Sequence, residues 1–224
     1  MDLIIFDCDG VLVDSEVIAD RELERFLATR FRDRDVTPLV RDSAGLTTAA
    51  VLERAVETIG RSLPEDALAL VEQAIQQALD EELQPVPGAV EALGEITLPK
   101  AVASNSSLWR IERSLRRTGL IDHFGGRLFS AGMVNRPKPS PDLYCYLAER
   151  LEAVPERCLV VEDSHPGVSA ARAAGMTVIG FTGASHAGPG QAEVLRRAGA
   201  VEVVDDMLLL PALVESAIRQ ATHE

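Results

Sequence analysis

Leu3-Ile4-Ile5-Phe6-Asp7-Cys8-Asp9-Gly10 is an unbroken apolar run that ends abruptly in two carboxylates and a glycine. Four apolar residues without alternation describe a strand covered on both faces, as in a parallel sheet. Similar runs recur at Ala101-Val102-Ala103, Arg127-Leu128-Phe129, Leu159-Val160-Val161, Val178-Ile179-Gly180-Phe181 and Val201-Glu202-Val203-Val204. Helical patterns separate them. Ser107 is placed to cap a helix running to Arg117, with Gly119 just beyond it. Ser140 and Pro141 read as the N-cap and first turn of a helix to about Leu151, Pro166 through Ala174 repeats the device before Gly175, and Pro211 starts the last helix. Alternating strands and helices predict an α/β fold with a doubly wound, Rossmann-like parallel sheet.

Residues 15–87 break that rhythm. They hold no strand-like run, but helical patterns at 17–31, after Thr37-Pro38, at 47–59 and at 64–82. A helical block of this length is too long for a strand-to-helix connection. The expected division is therefore a core of residues 1–14 and 88–224 with an inserted helical cap at 15–87.

The 224 residues, 46% hydrophobic and 25% charged, have a globular composition. With 22 cations against 35 acids the net charge is −13, which disfavours nucleic acid and anionic membrane surfaces as partners. No apolar stretch approaches the roughly 20 residues of a membrane span. The opening Met1-Asp2 lacks the basic region of a secretory signal. Cys8, Cys145 and Cys158 form no paired framework, so a reducing cytoplasm is the expected setting. A monomer is the simplest assembly, with a dimer left open.

Open parallel sheets bind ligands at the carboxyl ends of their strands. Those ends carry Asp7-Cys8-Asp9-Gly10, Ser104-Asn105-Ser106, the Asn135-Arg136-Pro137-Lys138-Pro139 segment and Glu162-Asp163-Ser164. Asp7 and Asp9 are two apart, so an extended backbone sends both side chains one way and Cys8 the other, where it serves as a small buried hydrophobe. Gly10 lets the chain turn. Carboxylates converging with Asp163 repel one another unless a cation joins them, and hard oxygen ligands suit Mg²⁺. Lys138 and Ser104 add donors for an anion beside the metal. Together they equip a site for phosphoryl transfer, in which charge neutralisation and positioning do most of the work. Lys138 stands out because 20 of the 22 cations are Arg; a Lys between two prolines reads as a positioned point charge.

Plainer readings compete. Gly10 and Glu16 partly mimic a calcium loop, but its first position would be Ile5, inside a strand. Asp163-Ser164 also suits a helix cap, and Ser104 suits a turn. His165 reads as a loop or cap residue and His123, His186 and His223 as surface, since none has a second His or Cys at ligand spacing.

The run from Asp7 to Ser15 resembles the first signature of the haloacid dehalogenase-like (HAD) superfamily, in its phosphatase and phosphomutase branch. Ser104, Lys138 and Glu162-Asp163 look like the second, third and fourth signatures, in order. The resemblance implies a HAD-like core with a helical cap. Asp7 would be the nucleophile that forms an aspartyl-phosphate, and Asp9 the acid and base. Ser104, Asn105 and Lys138, with Gly10, would hold the phosphoryl group. Mg²⁺ would rest on Asp7, the Asp9 carbonyl and Asp163, with Glu162 nearby. The implied activity is Mg²⁺-dependent hydrolysis of a small phosphate monoester, with sugar and sugar-acid phosphates leading. The run through Ile18 is most similar to phosphatases of 6-phosphogluconate. Sugar phosphomutases of this branch carry a His where this chain has Ala19, and a cap Arg where Thr48 follows Gly45-Leu46-Thr47. Both departures weigh against a mutase, which stays the alternative enzyme; a catalytically silent binding module is the alternative of another class. Arg41, Gly45 and Thr48, with Arg21, are the expected cap contacts to substrate.

Overall fold

The computed structural model describes residues 1–43 and 46–221. In chain order it runs β1 (Leu3–Phe6), α1 (Glu16–Arg30), α2 (Thr37–Arg41), α3 (Thr48–Ile59), α4 (Ala67–Glu82), α5 (Ala89–Glu95), β2 (Lys100–Ser104), α6 (Leu108–Arg117), β3 (Leu128–Ser130), α7 (Asp142–Arg150), β4 (Cys158–Glu162), α8 (His165–Ala173), β5 (Thr177–Phe181), α9 (Gln191–Ala198), β6 (Glu202–Val204) and α10 (Leu210–Ala221).

The six strands form one sheet in the order β3-β2-β1-β4-β5-β6, with every neighbouring pair parallel. From β1 the chain steps outward through β2 and β3, then crosses back to β4 on the other side. The switch in direction falls between β1 and β4, where ligands gather in such sheets. All four residues of β1 are buried, as its apolar run requires. Register fixes what comes next. Phe6 pairs with Val102 on one side and Val161 on the other. One step further along, Asp7 therefore stands level with Ala103 and Glu162.

Two compact units emerge, residues 1–14 with 84–224 and residues 15–83. The boundary falls four residues before the expected 88 because Pro85 bridges Val13 and the Asp14 N–H donates to the Gln84 carbonyl at 3.1 Å. Within the helical unit α1 packs on α2 and α4, and α3 packs on α4. Leu23, Leu27, Val71, Ile75 and Leu79 are buried there. The Arg21 guanidinium grips both Glu82 oxygens at 2.9 Å and Glu22 at 3.0 Å, tying α1 to α4.

Caps follow the sequence in part. Ser107 and Ser164 accept from the N–H groups of Arg110 and Gly167, as N-cap side chains do. Ser140 does not cap α7. Its hydroxyl donates to Asp142 Oδ1 at 2.7 Å, and Pro141 takes the N-cap position. Likewise α4 starts at Ala67 rather than Pro64, after a turn through Glu65 and Asp66. No described helix is long and apolar enough to cross a membrane.

Candidate active site

The ends of β1, β2 and β4 and the segment after β3 converge. Lys138 is buried, and its ammonium donates to Asp7 Oδ1 at 2.9 Å, to the Ala103 carbonyl at 2.8 Å and to Glu162 Oε1 at 2.5 Å. Its three partners are the three residues that strand register brings level. Asn105 holds the lysine in place through its backbone. Asn105 Nδ2 donates to the Lys138 carbonyl at 3.2 Å, and the Lys138 N–H donates to Asn105 Oδ1 at 3.0 Å. The Asn105 side chain is thus tied to the Lys138 backbone, beside the phosphoryl contact expected of this residue.

Glu162 is wholly buried. Oε1 receives Lys138 and the Tyr144 hydroxyl at 3.2 Å; Oε2 receives the Ser164 N–H at 3.2 Å and the Ser164 hydroxyl at 3.0 Å. Both oxygens are engaged, so Glu162 acts chiefly as the counter-charge that fixes Lys138. Tyr144 also lays its ring 5.1 Å below the ammonium. Burial alone would lower the Lys138 ammonium. Asp7 and Glu162, facing it directly, outweigh that and raise it well above the ordinary lysine value.

Asp7, Glu162 and Asp163 are buried, and each presents a carboxylate oxygen within 4.8 Å of the others. Burial, and then the repulsion of Glu162, Asp163 and Asp9, raises the Asp7 carboxyl well above its ordinary value despite Lys138. Burial raises Asp163 in the same way, against the hydrogen bond from His186. Clustered carboxyls whose charged forms are disfavoured fit a hard divalent cation. Gly10 allows the approach. Its φ is +77°, and a Cβ there would lie 2.2 Å from Asp163 Oδ2. Ser104 is buried, and its hydroxyl oxygen accepts from the Ser106 N–H at 3.0 Å.

Asp9 turns its carboxylate away from that cluster. Oδ2 accepts from the Ser106 hydroxyl at 2.6 Å, and Oδ1 lies 3.8 Å from the Arg110 guanidinium. Both Asp9 carboxylate oxygens thus face a partner; the metal contact that the resemblance implies for this residue is through its carbonyl.

Sequence reading missed Ser106, Arg110, Tyr144 and His186. His186, expected at the surface, has its Nε2 3.0 Å from Asp163 Oδ2. Its loop is anchored on both sides. The Ser185 N–H and hydroxyl donate to Asp14, and Gln191 Nε2 donates to the Asp163 carbonyl at 2.6 Å. The lone signal in the sequence was the pairing of Ser106 with Ser104 on one face of the β2 end. For Tyr144 and His186 there was none, because their bonds to Glu162 and Asp163 join separate elements.

Arg41 ends α2 with its Nε 3.4 Å from Asp42, Thr48 opens α3, and Arg21 is committed within the unit to Glu82 and Glu22. Gly45 lies outside the described residues.

Residues 1–175 match the model of the haloacid dehalogenase-like hydrolases, and the chain belongs to that family. The 6-phosphogluconate phosphatase of Escherichia coli K12 is 29% identical over 194 residues, covering 84% of this chain and 86% of that one. A haloacid dehalogenase-like protein of unknown function from Agrobacterium tumefaciens superposes with a TM-score of 0.88 at 38% identity, covering 97% and 99% of the two chains. A putative β-phosphoglucomutase from Thermotoga maritima gives 0.79 at 30% identity, covering 96% and 99%. The protein is a phosphoric monoester hydrolase of the haloacid dehalogenase-like family.

Proposed function

We propose that this protein is a Mg²⁺-dependent phosphatase of sugar or sugar-acid phosphates that works through an aspartyl-phosphate at Asp7. The observation that carries the reading is the buried Asp7–Lys138–Glu162 arrangement at the strand ends, with Asp163 completing the carboxylate cluster. Asp7 attacks phosphorus with one carboxylate oxygen while Lys138 keeps the other fixed. The bond from phosphorus to the ester oxygen breaks, and Asp9 gives that oxygen its proton. Asp9, now a carboxylate, takes a proton from water, which attacks the aspartyl-phosphate and releases phosphate. Lys138 trades one of its three bonds for a phosphoryl oxygen, and Ser104 supplies a hydroxyl. A Mg²⁺ held by Asp7 and Asp163 with the Asp9 carbonyl would neutralise charge on the phosphoryl oxygens.

The same proposal makes the helical unit the cap, with Arg41 and Thr48 as its substrate contacts. It places the protein in the cytoplasm, in keeping with three free cysteines. Phosphate release from a panel of sugar, polyol and nucleotide monophosphates, with and without Mg²⁺ and in Asp7→Asn, tests it. Absence of metal-dependent turnover would overturn it.

A phosphomutase is the second reading, favoured by the Thermotoga structural likeness. It predicts isomerised phosphate with little release when β-glucose 1-phosphate is supplied with a bisphosphate activator. Ala19 and Thr48, where the branch's mutases carry His and Arg, favour hydrolysis.

A further inference from the structure

Arg110 is the third residue of α6, and its N–H donates to the Ser107 hydroxyl at 3.3 Å, which fixes the first helical turn beside β2. Its side chain is 28% exposed and reaches Asp9, with one terminal nitrogen 3.8 Å from Oδ1. That separation is an ion-pair distance beyond hydrogen-bond reach. The other oxygen of Asp9 is held by Ser106 at 2.6 Å. Arg110 Nε is buried and has no hydrogen-bond partner. Buried donors are rarely left unmade in native proteins. The guanidinium that carries this unused donor reaches Asp9, the residue that would protonate the leaving oxygen, so it stands where the leaving group would lie.

We infer that Arg110 reads the leaving group and selects phosphate esters whose leaving group carries a carboxylate, the phosphorylated sugar acids. The inference rests on the phosphatase reading and names its substrate class. A guanidinium offers parallel donors that match a carboxylate in two bonds. Charge points the same way. Lys138 directs its three protons to Asp7, Glu162 and the Ala103 carbonyl, whereas Arg110, near Asp9, has a donor left over. A neutral sugar brings hydroxyls and no charge to meet it. A second phosphate brings about two negative charges against one guanidinium.

The test compares 6-phosphogluconate with glucitol 6-phosphate, which differ by a carboxylate against a hydroxymethyl group. Fructose 1,6-bisphosphate represents a second phosphate. In wild type, kcat/KM should favour 6-phosphogluconate over glucitol 6-phosphate by about 30-fold, the size of a charge-assisted hydrogen-bond pair. Arg110→Gln should collapse that ratio towards one, and Arg110→Lys should restore part of it. Gluconate should inhibit wild type more strongly than glucitol, a comparison that needs no variant. A wild-type ratio near one, a ratio unchanged in Arg110→Gln, or a preference for the bisphosphate overturns the inference while leaving the phosphatase standing. An equal fall on both substrates would make Arg110 a partner of Asp9 alone and overturn it too. Hydrolysis of no phosphate ester at all overturns both readings together.

Discussion

Asn105 and Lys138 exchange two hydrogen bonds, side-chain amide against backbone, at 3.2 and 3.0 Å. The amide acts as a short stretch of strand, pinning the segment around Lys138 to the end of β2. Asn105→Ala removes both bonds and leaves the Lys138 N–H without its acceptor, at a cost of about 1–3 kcal/mol. In thermal unfolding a loss of this size lowers Tm by several degrees. Turnover should fall further than stability does, by about tenfold or more, because the ammonium is no longer aimed at Asp7. Unaltered kcat in a folded variant would show that Lys138 positions itself.

Lys138 is bonded to both Asp7 and Glu162. Lys138→Met keeps the length of the side chain and strands two buried carboxylates, one of them with no exposure at all. Breaking such a pair costs about 3–5 kcal/mol. Lys138→Arg should fare little better, since a planar fork cannot point three donors at Asp7, Ala103 and Glu162. Denaturant unfolding measures the loss, and a shift below 1 kcal/mol in Lys138→Met would contradict the assignment.

Legibility in the sequence followed locality. The β1 run and its Asp7-Cys8-Asp9-Gly10 ending are contiguous, so both the strand and its carboxylates could be read directly. Lys138 was legible because it sits between prolines in a chain where 20 of the 22 cations are Arg. What Lys138 touches was not legible. Its bonds to Asp7 and Glu162 join residues 131 and 24 positions apart, and only strand order and register bring them level. The bonds of the Asn105 side chain were not legible for a related reason: a polar residue at a strand end looks the same whether it faces a ligand or a neighbouring loop. His186 gave no local sign because its partner, Asp163, lies on a different strand end.

Gly167 inverts an ordinary expectation. It lies within α8, where Gly to Ala usually stabilises by about 0.5–1 kcal/mol. A Cβ at this position would fall 1.8 Å from Glu162 Oε1 and 2.2 Å from Oε2. The carboxylate cannot retreat, because Lys138, Tyr144 and Ser164 hold it. Gly167→Ala should therefore destabilise by about 1–3 kcal/mol, the range for overpacking. It should also lower kcat by displacing Lys138 through Glu162. A variant with raised Tm would show that Glu162 has room to move.

Metal binding should depend on pH with a definite sign. Burial raises the Asp7 and Asp163 carboxyls above their unfolded values. Their contribution to the metal-free fold is then full below the ordinary carboxyl range, near pH 4, and is lost as pH rises through the raised folded values. Near neutral pH and above, the metal-free protein carries the cost of unmatched negative charge, which a divalent cation removes. At lower pH the same cation must first displace protons. Mg²⁺ at about 100 times its Kd stabilises by about 2.7 kcal/mol, or about 5–10 °C in Tm for a chain of this size. Measured at one fixed Mg²⁺ concentration, the rise in Tm should be larger at pH 8 than at pH 5.5. Asp163→Asn should abolish most of it at both. A shift that is equal at the two pH values, or larger at the acidic one, would place the cation somewhere other than between Asp7 and Asp163.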